Sequence, residues 1–123
     1  MPKIRLTIDG VVLSAECRDT LTANAILEAL PLKSSTQTWG DEVYFEVPVS
    51  VPLEDNAKDV VEAGEIAFWT QGNCIAIGYG PTPISQGDEI RLAAPTNIWA
   101  DAIEDVKQLK GVRAGASITI DEV

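Results

Sequence analysis

The first eighteen residues contain the feature that most restricts what this chain can fold into. Apolar and polar residues alternate on both sides of the dipeptide Asp9-Gly10. Alternation with a period of two is typical of a strand with one buried face, and an Asp-Gly pair between two such runs is a strong hairpin signal. The pairing sets Ile8 opposite Val11 and brings the apolar residues onto one face. The sequence therefore predicts an antiparallel hairpin over residues 3–18.

A second hairpin is predicted around Gly40-Asp41, with Trp39 opposite Glu42. Alternation along the following strand divides its side chains between two faces. Val43, Phe45 and Val47 are predicted to face the core, whereas Glu42, Tyr44 and Glu46 point away from it. Because the strand meets Pro48, which cannot donate a ladder hydrogen bond, we expect pairing to end there.

A third hairpin is predicted to join residues 65–69 to residues 74–79 through a turn at Gly72. One side of it is aliphatic. Trp69 lies on the other side with small residues, Ala67, Ala76 and Gly78. A flat surface of this kind is expected to be closely covered, either by the helix predicted over residues 20–30 or by a ligand.

The remaining pattern completes a mostly-β domain. Thr20 or Thr22 can cap the helix over residues 20–30, and Pro31 stops it. The other predicted elements are a short helix or irregular turn at 54–63, strands at 88–93 and 97–102, a short helix at 104–110 and a last strand at 116–120. Length and hairpin content favour one domain, 1–123, folded as a barrel or a sandwich.

Charge excludes several classes of partner. The chain has 9 basic and 19 acidic residues, a formal net charge of −10, with acidic residues spread along its length. Nucleic acids and anionic membranes require clustered Lys and Arg, so neither is an expected partner. No apolar signal core or membrane-length run occurs, and Cys17 and Cys74 are far apart. We expect a cytoplasmic protein with two reduced thiols.

The residue inventory also restricts catalysis. The chain has no histidine and only two unclustered cysteines, so a Ser-His-Asp triad or a zinc site of the usual kinds is excluded. Phosphate-binding and dinucleotide-binding glycine motifs are absent, and no metal or cofactor is expected. The pairs Asp41–Glu42 and Asp88–Glu89 offer carboxylates for Ca²⁺, Mg²⁺ or acid–base chemistry. Acidic residues in tight turns are the favoured interpretation of both pairs.

The strongest candidate for a site is a group of aromatic residues off the inner face of the hairpins. Trp39, Tyr44 and Trp69 are predicted to line either a ligand groove or a second small core beneath the helix. Tyr79 and the stiff segment ending at Pro83 adjoin them. The candidate ligand-binding residues are Trp39, Tyr44, Trp69, Asn73, Tyr79, Pro83, Arg91 and Asn97.

Several motifs, in order along nearly the whole chain, resemble a small prokaryotic cyclophilin-like family of poorly defined function. They are Trp39-Gly-Asp-Glu-Val-Tyr-Phe45, Trp69-x-x-Gly72-Asn73, Gly80-Pro-Thr-Pro83-x-Ser85, Asp88-Glu-Ile90 and Ala94-Pro-x-Asn97. The resemblance implies a closed eight-stranded β-barrel with one or two short capping helices. Ala100 departs from the family pattern, in which we expect a glycine.

The resemblance carries a fold and not an activity. Cyclophilins proper are peptidyl-prolyl isomerases whose cleft uses an arginine on a core strand, a glutamine and a histidine. The corresponding strand here, residues 42–47, has no arginine, and the chain has no histidine. We therefore predict a barrel that binds a small molecule or a short extended peptide in an aromatic groove, without evident catalytic machinery. The alternatives are a weak or residual prolyl isomerase and a homodimeric interaction module.

Overall fold

The computed structural model describes residues 2–123 and is mostly β, as predicted. It contains one α-helix, α1 (Leu21–Ala29), and one 3₁₀ helix (Val106–Gly111). The strands are β1 (Lys3–Ile8), β2 (Val11–Cys17), β3 (Leu32–Ser35), β4 (Gln37–Thr38), β5 (Glu42–Glu46), β6 (Lys58–Val61), β7 (Glu65–Trp69), β8 (Cys74–Gly78), β9 (Ile90–Ala102) and β10 (Ser117–Glu122). Neither helix, within these residues, is long and apolar enough to cross a membrane.

The first hairpin is confirmed in its register. Ile8 pairs with Val11 and the pairing continues down β1 and β2. Asp9 and Gly10 have φ values of 48° and 83°, the left-handed conformation that both central residues of this two-residue turn require. The apolar residues of the two strands are buried on one side, so the turn chemistry and the alternation both predicted this part correctly.

The strands form a nearly closed barrel in the order β3-β10-β1-β2-β9-β7-β8-β5-β4. The two ends of this path, β3 and β4, are separated along the chain only by Thr36. The buried Thr36 hydroxyl donates to the Arg113 carbonyl at 2.9 Å and accepts from the Ala116 amide at 3.0 Å. Counted as one bent strand, β3 and β4 give the ring eight members, which agrees with the barrel that the family resemblance implies.

The barrel interior is aliphatic and aromatic, and the helix packs on it. Thr20 caps α1 by accepting a hydrogen bond from the Ala23 amide at 3.0 Å, and the helix ends just before Pro31, as predicted. Ala23 and Ile26 of α1 are buried in the same core cluster as the strand residues. Trp99 of β9 is fully buried there. The barrel thus has a complete core of its own.

Two predictions about the middle of the chain are wrong. Residues 54–63 contain the strand β6 rather than a helix or turn, and the strands expected at 88–93 and 97–102 are one continuous strand, β9. Pro95 lies between the two expected strands and within the observed one. It is tolerated because the pairing of β6 with β9 shifts register between Lys58 and Val60, and proline is accepted at such irregularities.

β9 therefore belongs to two sheets. Its second half pairs with β2 and β7 in the barrel, and its first half pairs with β6 outside it. A register shift between Ile66 and Ala67 of β7 marks the bend. Ala100, where the family resemblance leads us to expect glycine, pairs with Ile66 beside this shift and is buried.

The outer face of β7 and β8 is covered by β6 and the first half of β9. The expectation that α1 could cover this face is therefore wrong. Ala67 and Ala76 form a second hydrophobic cluster with residues of β6 and β9. The approach is close, because a Cβ at Gly78 would overlap the Ile90 side chain. The flat surface predicted for the third hairpin is therefore needed for strand-on-sheet packing.

Candidate functional site

A cavity of about 180 Å³ opens beside the second cluster, between the outer face of β5, β7 and β8 and the bent part of β9. Its walls comprise three aromatic side chains, one carboxyl group, and small or aliphatic residues of β8 and β9. Its volume is similar to the roughly 150 Å³ that accommodates benzene inside a protein. A single ring or a short chain therefore fits within it, and a longer molecule would extend through the mouth.

The aromatic side chains are Trp39, Tyr44 and Trp69, three of the predicted binding residues. The Tyr44 hydroxyl donates to Gln37 Oε1 at 3.0 Å, and the Trp69 indole N–H donates to Gln71 Oε1, also at 3.0 Å. The rings of Tyr44 and Trp69 are thus each held at the polar end by a glutamine, and their apolar surfaces remain available to the cavity.

Two glycine-containing turns place the tryptophans. The Trp69 ring lies over Gly72, where a Cβ would overlap the six-membered part of the indole. Gly40, at φ 58°, turns the chain immediately after Trp39, and a Cβ there would come within 2.8 Å of Pro83 Cδ. Pro83 therefore supports the turn that carries Trp39 and is not itself part of the cavity wall.

Glu42 supplies the carboxyl group. Its register partner on β8 is Gly78, so no side chain stands opposite it, and the residue is only 6% exposed. Burial raises its pKa to about 7. Within residues 2–123, the protein gives its carboxyl group no hydrogen bond or ion pair. Because no fully enclosed side-chain oxygen in these residues lacks a partner, the Glu42 carboxyl oxygens are open to the cavity. A carboxyl that titrates near neutrality and faces an open cavity is a recognised mark of a functional site.

Cys74 lies in the same wall. Its thiol contacts the Gly72 carbonyl oxygen at 3.4 Å. Burial and the nearby carboxylates of Glu46 and Glu42 raise its pKa. The thiol is therefore neutral at physiological pH, and we interpret it as a soft apolar surface of the wall rather than as a nucleophile.

The other predicted polar residues lie outside the cavity wall. Asn97 is fully buried; its side-chain oxygen accepts from the Glu54 amide at 2.8 Å, and its nitrogen donates to the Thr22 hydroxyl and the Pro52 carbonyl at 3.0 Å. Its side-chain oxygen and nitrogen are therefore both engaged by the protein itself. Asn97 thus joins α1, the 50s loop and β9.

Arg91, Asn73 and Tyr79 also make contacts elsewhere. Arg91 forms ion pairs with Glu89 at 2.6 Å and Asp59 at 3.1 Å. Asn73 has the left-handed φ of 53° in the β7–β8 turn, and Tyr79 packs against the barrel core. The structure therefore groups three of the eight candidates and disperses five, whose binding role stays a prediction.

Sequence reasoning missed Glu42. It placed the residue correctly on the face shared with Tyr44, but it interpreted the pair Asp41–Glu42 as turn chemistry. Only Asp41 behaves in that way, with its amide donating to the Pro81 carbonyl at 3.0 Å. The alternation that put Glu42 beside Tyr44 was a usable signal, because it placed a carboxyl on the predicted aromatic face.

The aromatic residues were expected to line either a groove or a second small core. Both features exist side by side: Tyr44 packs at the edge of the second cluster, while Trp39 and Trp69 are half-buried at the cavity. The second cluster lies beneath β6 and β9 rather than beneath α1. In residues 2–123, no three His, Cys, Asp or Glu side chains group as metal ligands.

Comparisons with known proteins agree with this architecture. A family model described as cyclophilin-like matches residues 2–121. The solution structure of a hypothetical protein from Archaeoglobus fulgidus is 36% identical, covers 99% of this chain and 95% of its own, and gives a TM-score of 0.85. No protein with a curated description matches the sequence.

A more distant structure shares the fold alone. McbB in complex with tryptophan gives a TM-score of 0.71 at 13% identity, over 96% of this chain and 44% of that one. The family match and the 36% identical structure each extend over almost the whole chain. The barrel, its capping helices and these matches together show that the chain belongs to the cyclophilin-like family.

Proposed function

We propose that the protein binds a small organic molecule in the cavity between β5, β8 and β9. The observation that carries the proposal is that Glu42, a largely buried residue, opens a carboxyl group without a protein partner to an aromatic cavity. A buried polar group without a partner costs free energy. A ligand that supplies the partner recovers that cost while it covers the aromatic walls.

The composition of the walls supports this function. Small-molecule sites are mostly apolar, with a few polar groups that fix orientation. Here one carboxyl group lies among aromatic rings and aliphatic side chains. McbB, whose fold is similar, forms a complex with tryptophan. A small molecule of that kind is consistent with a cavity of this size.

A small molecule fits this cavity better than a short extended peptide does. Peptides that bind as an added strand need a sheet edge with free backbone groups. β5, β7 and β8, which carry five of the ten wall residues and form the cavity floor, each have strand neighbours on both sides. A peptide therefore has no free strand edge at the cavity floor.

The proposal is tested by NMR titration with two small probes, benzylamine and benzyl alcohol. The chain has three tryptophans, so three indole N–H signals report on the site. We expect the signals of Trp39 and Trp69 to shift at probe concentrations of about 1 mM. Trp99, which is fully buried in the barrel core, is the internal control and should not move.

A blocking variant makes the test specific. Ala94 lines the cavity and is partly exposed, so Ala94→Phe is expected to fill the space without disturbing the barrel core. The variant should keep the Trp99 signal of the wild type and lose the response to both probes. If neither probe shifts Trp39 or Trp69 in the wild type at 10 mM, the proposed function is wrong.

A further inference from the structure

We propose that the cavity selects an organic cation, a protonated amine whose N–H groups donate to Glu42 while its charge lies against the aromatic walls. This inference rests on the proposed function, because it names the ligand class of the same cavity. The inference predicts that the cavity binds amines more tightly than neutral or acidic molecules of equal size.

The charges around the cavity favour a cation. Its wall contains no Lys or Arg. The charged residues nearest Glu42 in the sequence, Asp41 just before β5 and Glu46 at its end, are acidic. Lys58 of β6, which pairs with the wall residue Thr96, is held by Glu65 at 2.7 Å. From β8 the facing group is the Cys74 thiol, and the wall residues of β9 are uncharged. Arg91 is held by its own carboxylates. An acidic ligand would meet only like charge here, whereas a cation would neutralise a buried carboxylate.

The aromatic walls supply the second part of the recognition. A cation within about 6 Å of a Trp or Tyr ring is attracted by the negative face of the ring, and more strongly where water is excluded. Trp39, Tyr44 and Trp69 come from three different segments and surround the same space. Together with one carboxylate, this combination matches an ammonium group better than it matches a neutral polar group.

The hydrogen bonding indicates an amine with N–H groups rather than a quaternary ammonium. The hydroxyls of Tyr44 and Thr96, which line the cavity, donate instead to Gln37 Oε1 and to the Lys58 carbonyl. Glu42 therefore receives nothing from either of them. A protonated amine provides charge-assisted hydrogen bonds to the carboxylate, which are stronger than neutral ones.

The test compares probes of one shape and different charge at pH 8: benzylamine, benzyl alcohol, benzoate and benzyltrimethylammonium. Binding is followed by the indole signals of Trp39 and Trp69. We expect benzylamine to bind about 10-fold or more tightly than benzyl alcohol, benzoate not to bind, and the quaternary probe to bind more weakly than benzylamine. Glu42→Gln should abolish the preference but still bind benzyl alcohol.

A matched control and a pH series complete the design. Glu46→Gln removes an exposed carboxylate four residues further along β5 and should keep the preference. In the wild type, benzylamine affinity should fall about 10-fold per pH unit below pH 7, because Glu42 must lose its proton to pair with the cation. This measurement needs no variant, so it stands even if Glu42→Gln folds poorly.

Two results overturn the cation inference and leave the proposed function in place. One is equal binding of benzylamine and benzyl alcohol by the wild type. The other is an amine preference that persists in Glu42→Gln. Failure of every probe to shift Trp39 and Trp69 overturns the proposed function, and the inference with it.

Discussion

Replacing Glu42 by glutamine is expected to raise the free energy of unfolding above that of the wild type, and to do so more at pH 8 than at pH 4. In the folded protein, burial raises the pKa of this carboxyl group to about 7 from an ordinary value of 4.5. The folded state therefore holds a proton between pH 4.5 and 7 that the unfolded state has released. Stability falls with rising pH wherever the folded state binds more protons, so the wild type loses stability through this window and stays lower above pH 7.

The size of the effect follows from the two pKa values. Their difference, 7 − 4.5, is about 2.5, and one pKa unit corresponds to about 1.4 kcal/mol. The ionised carboxylate thus lowers the free energy of unfolding by about 3 kcal/mol above pH 7. Glutamine has nearly the same shape and never ionises, so the difference between variant and wild type should grow by about that amount from pH 4 to pH 8.

Urea unfolding followed by far-ultraviolet circular dichroism measures this at closely spaced pH values. Taking the variant minus the wild type cancels the titration of other groups. Among them are Glu65, whose pKa is lowered by the Glu62 amide and by its ion pairs with Lys58 and Arg18 despite its burial, and Asp101, whose pKa is lowered by Arg18. Glu46→Gln serves as the control, because it makes the same change at an exposed position of the same strand. Parallel pH profiles for Glu42→Gln and the wild type would refute the burial argument.

Three further perturbations test the packing around the site by urea unfolding. Gly78→Ala should lower the free energy of unfolding by about 1–3 kcal/mol, because its methyl group overlaps Ile90. Gly111→Ala, whose methyl group meets nothing within 4 Å, should lower it by no more than about 0.5 kcal/mol. Equal effects would contradict the close packing of β9 on β8. Asn97→Ala should lower the free energy of unfolding by about 3 kcal/mol, because it leaves the buried polar groups that bond to Asn97 without a partner. A loss under 1 kcal/mol would count against this hydrogen-bond network. Arg18→Met breaks a partly exposed pair with two carboxylates and should cost about 1 kcal/mol, less at high salt; a cost that salt does not change would exclude an electrostatic origin.

The hairpins could be predicted because their signals are local. The turn at Asp9-Gly10 and the alternation beside it involve residues close in the sequence, and the register of β1 with β2 follows from them. The course of β9 could not be predicted in this way. It depends on Pro95 being accepted at a register irregularity and on pairing with residues of β6 that lie 29 to 38 positions earlier in the chain.

The same distinction explains what was found of the site. Alternation alone put Trp39, Tyr44 and Trp69 on the outer faces of their hairpins, and the structure brings them together. The burial of Glu42 could not be predicted locally, since it depends on β9 folding back over the sheet. The sequence marks Asn97 only as a polar residue that could contact a ligand, and the fold shows that its amide is used by the protein itself.

The position of Glu42 is better explained by ligand binding than by folding. The barrel core is complete without it, and its carboxyl group forms no internal hydrogen bond within residues 2–123. Because burial raises its pKa, the ionised carboxylate is expected to lower the free energy of unfolding above pH 7, whereas a glutamine of the same shape would not. A position at which one substitution would stabilise the protein is typical of a functional site, because the groups needed for binding often reduce stability. The Glu42 carboxyl faces open space because its register partner is Gly78 and because the aromatic rings and strand β9 surround the cavity without filling it. A cationic ligand in that space would neutralise its charge.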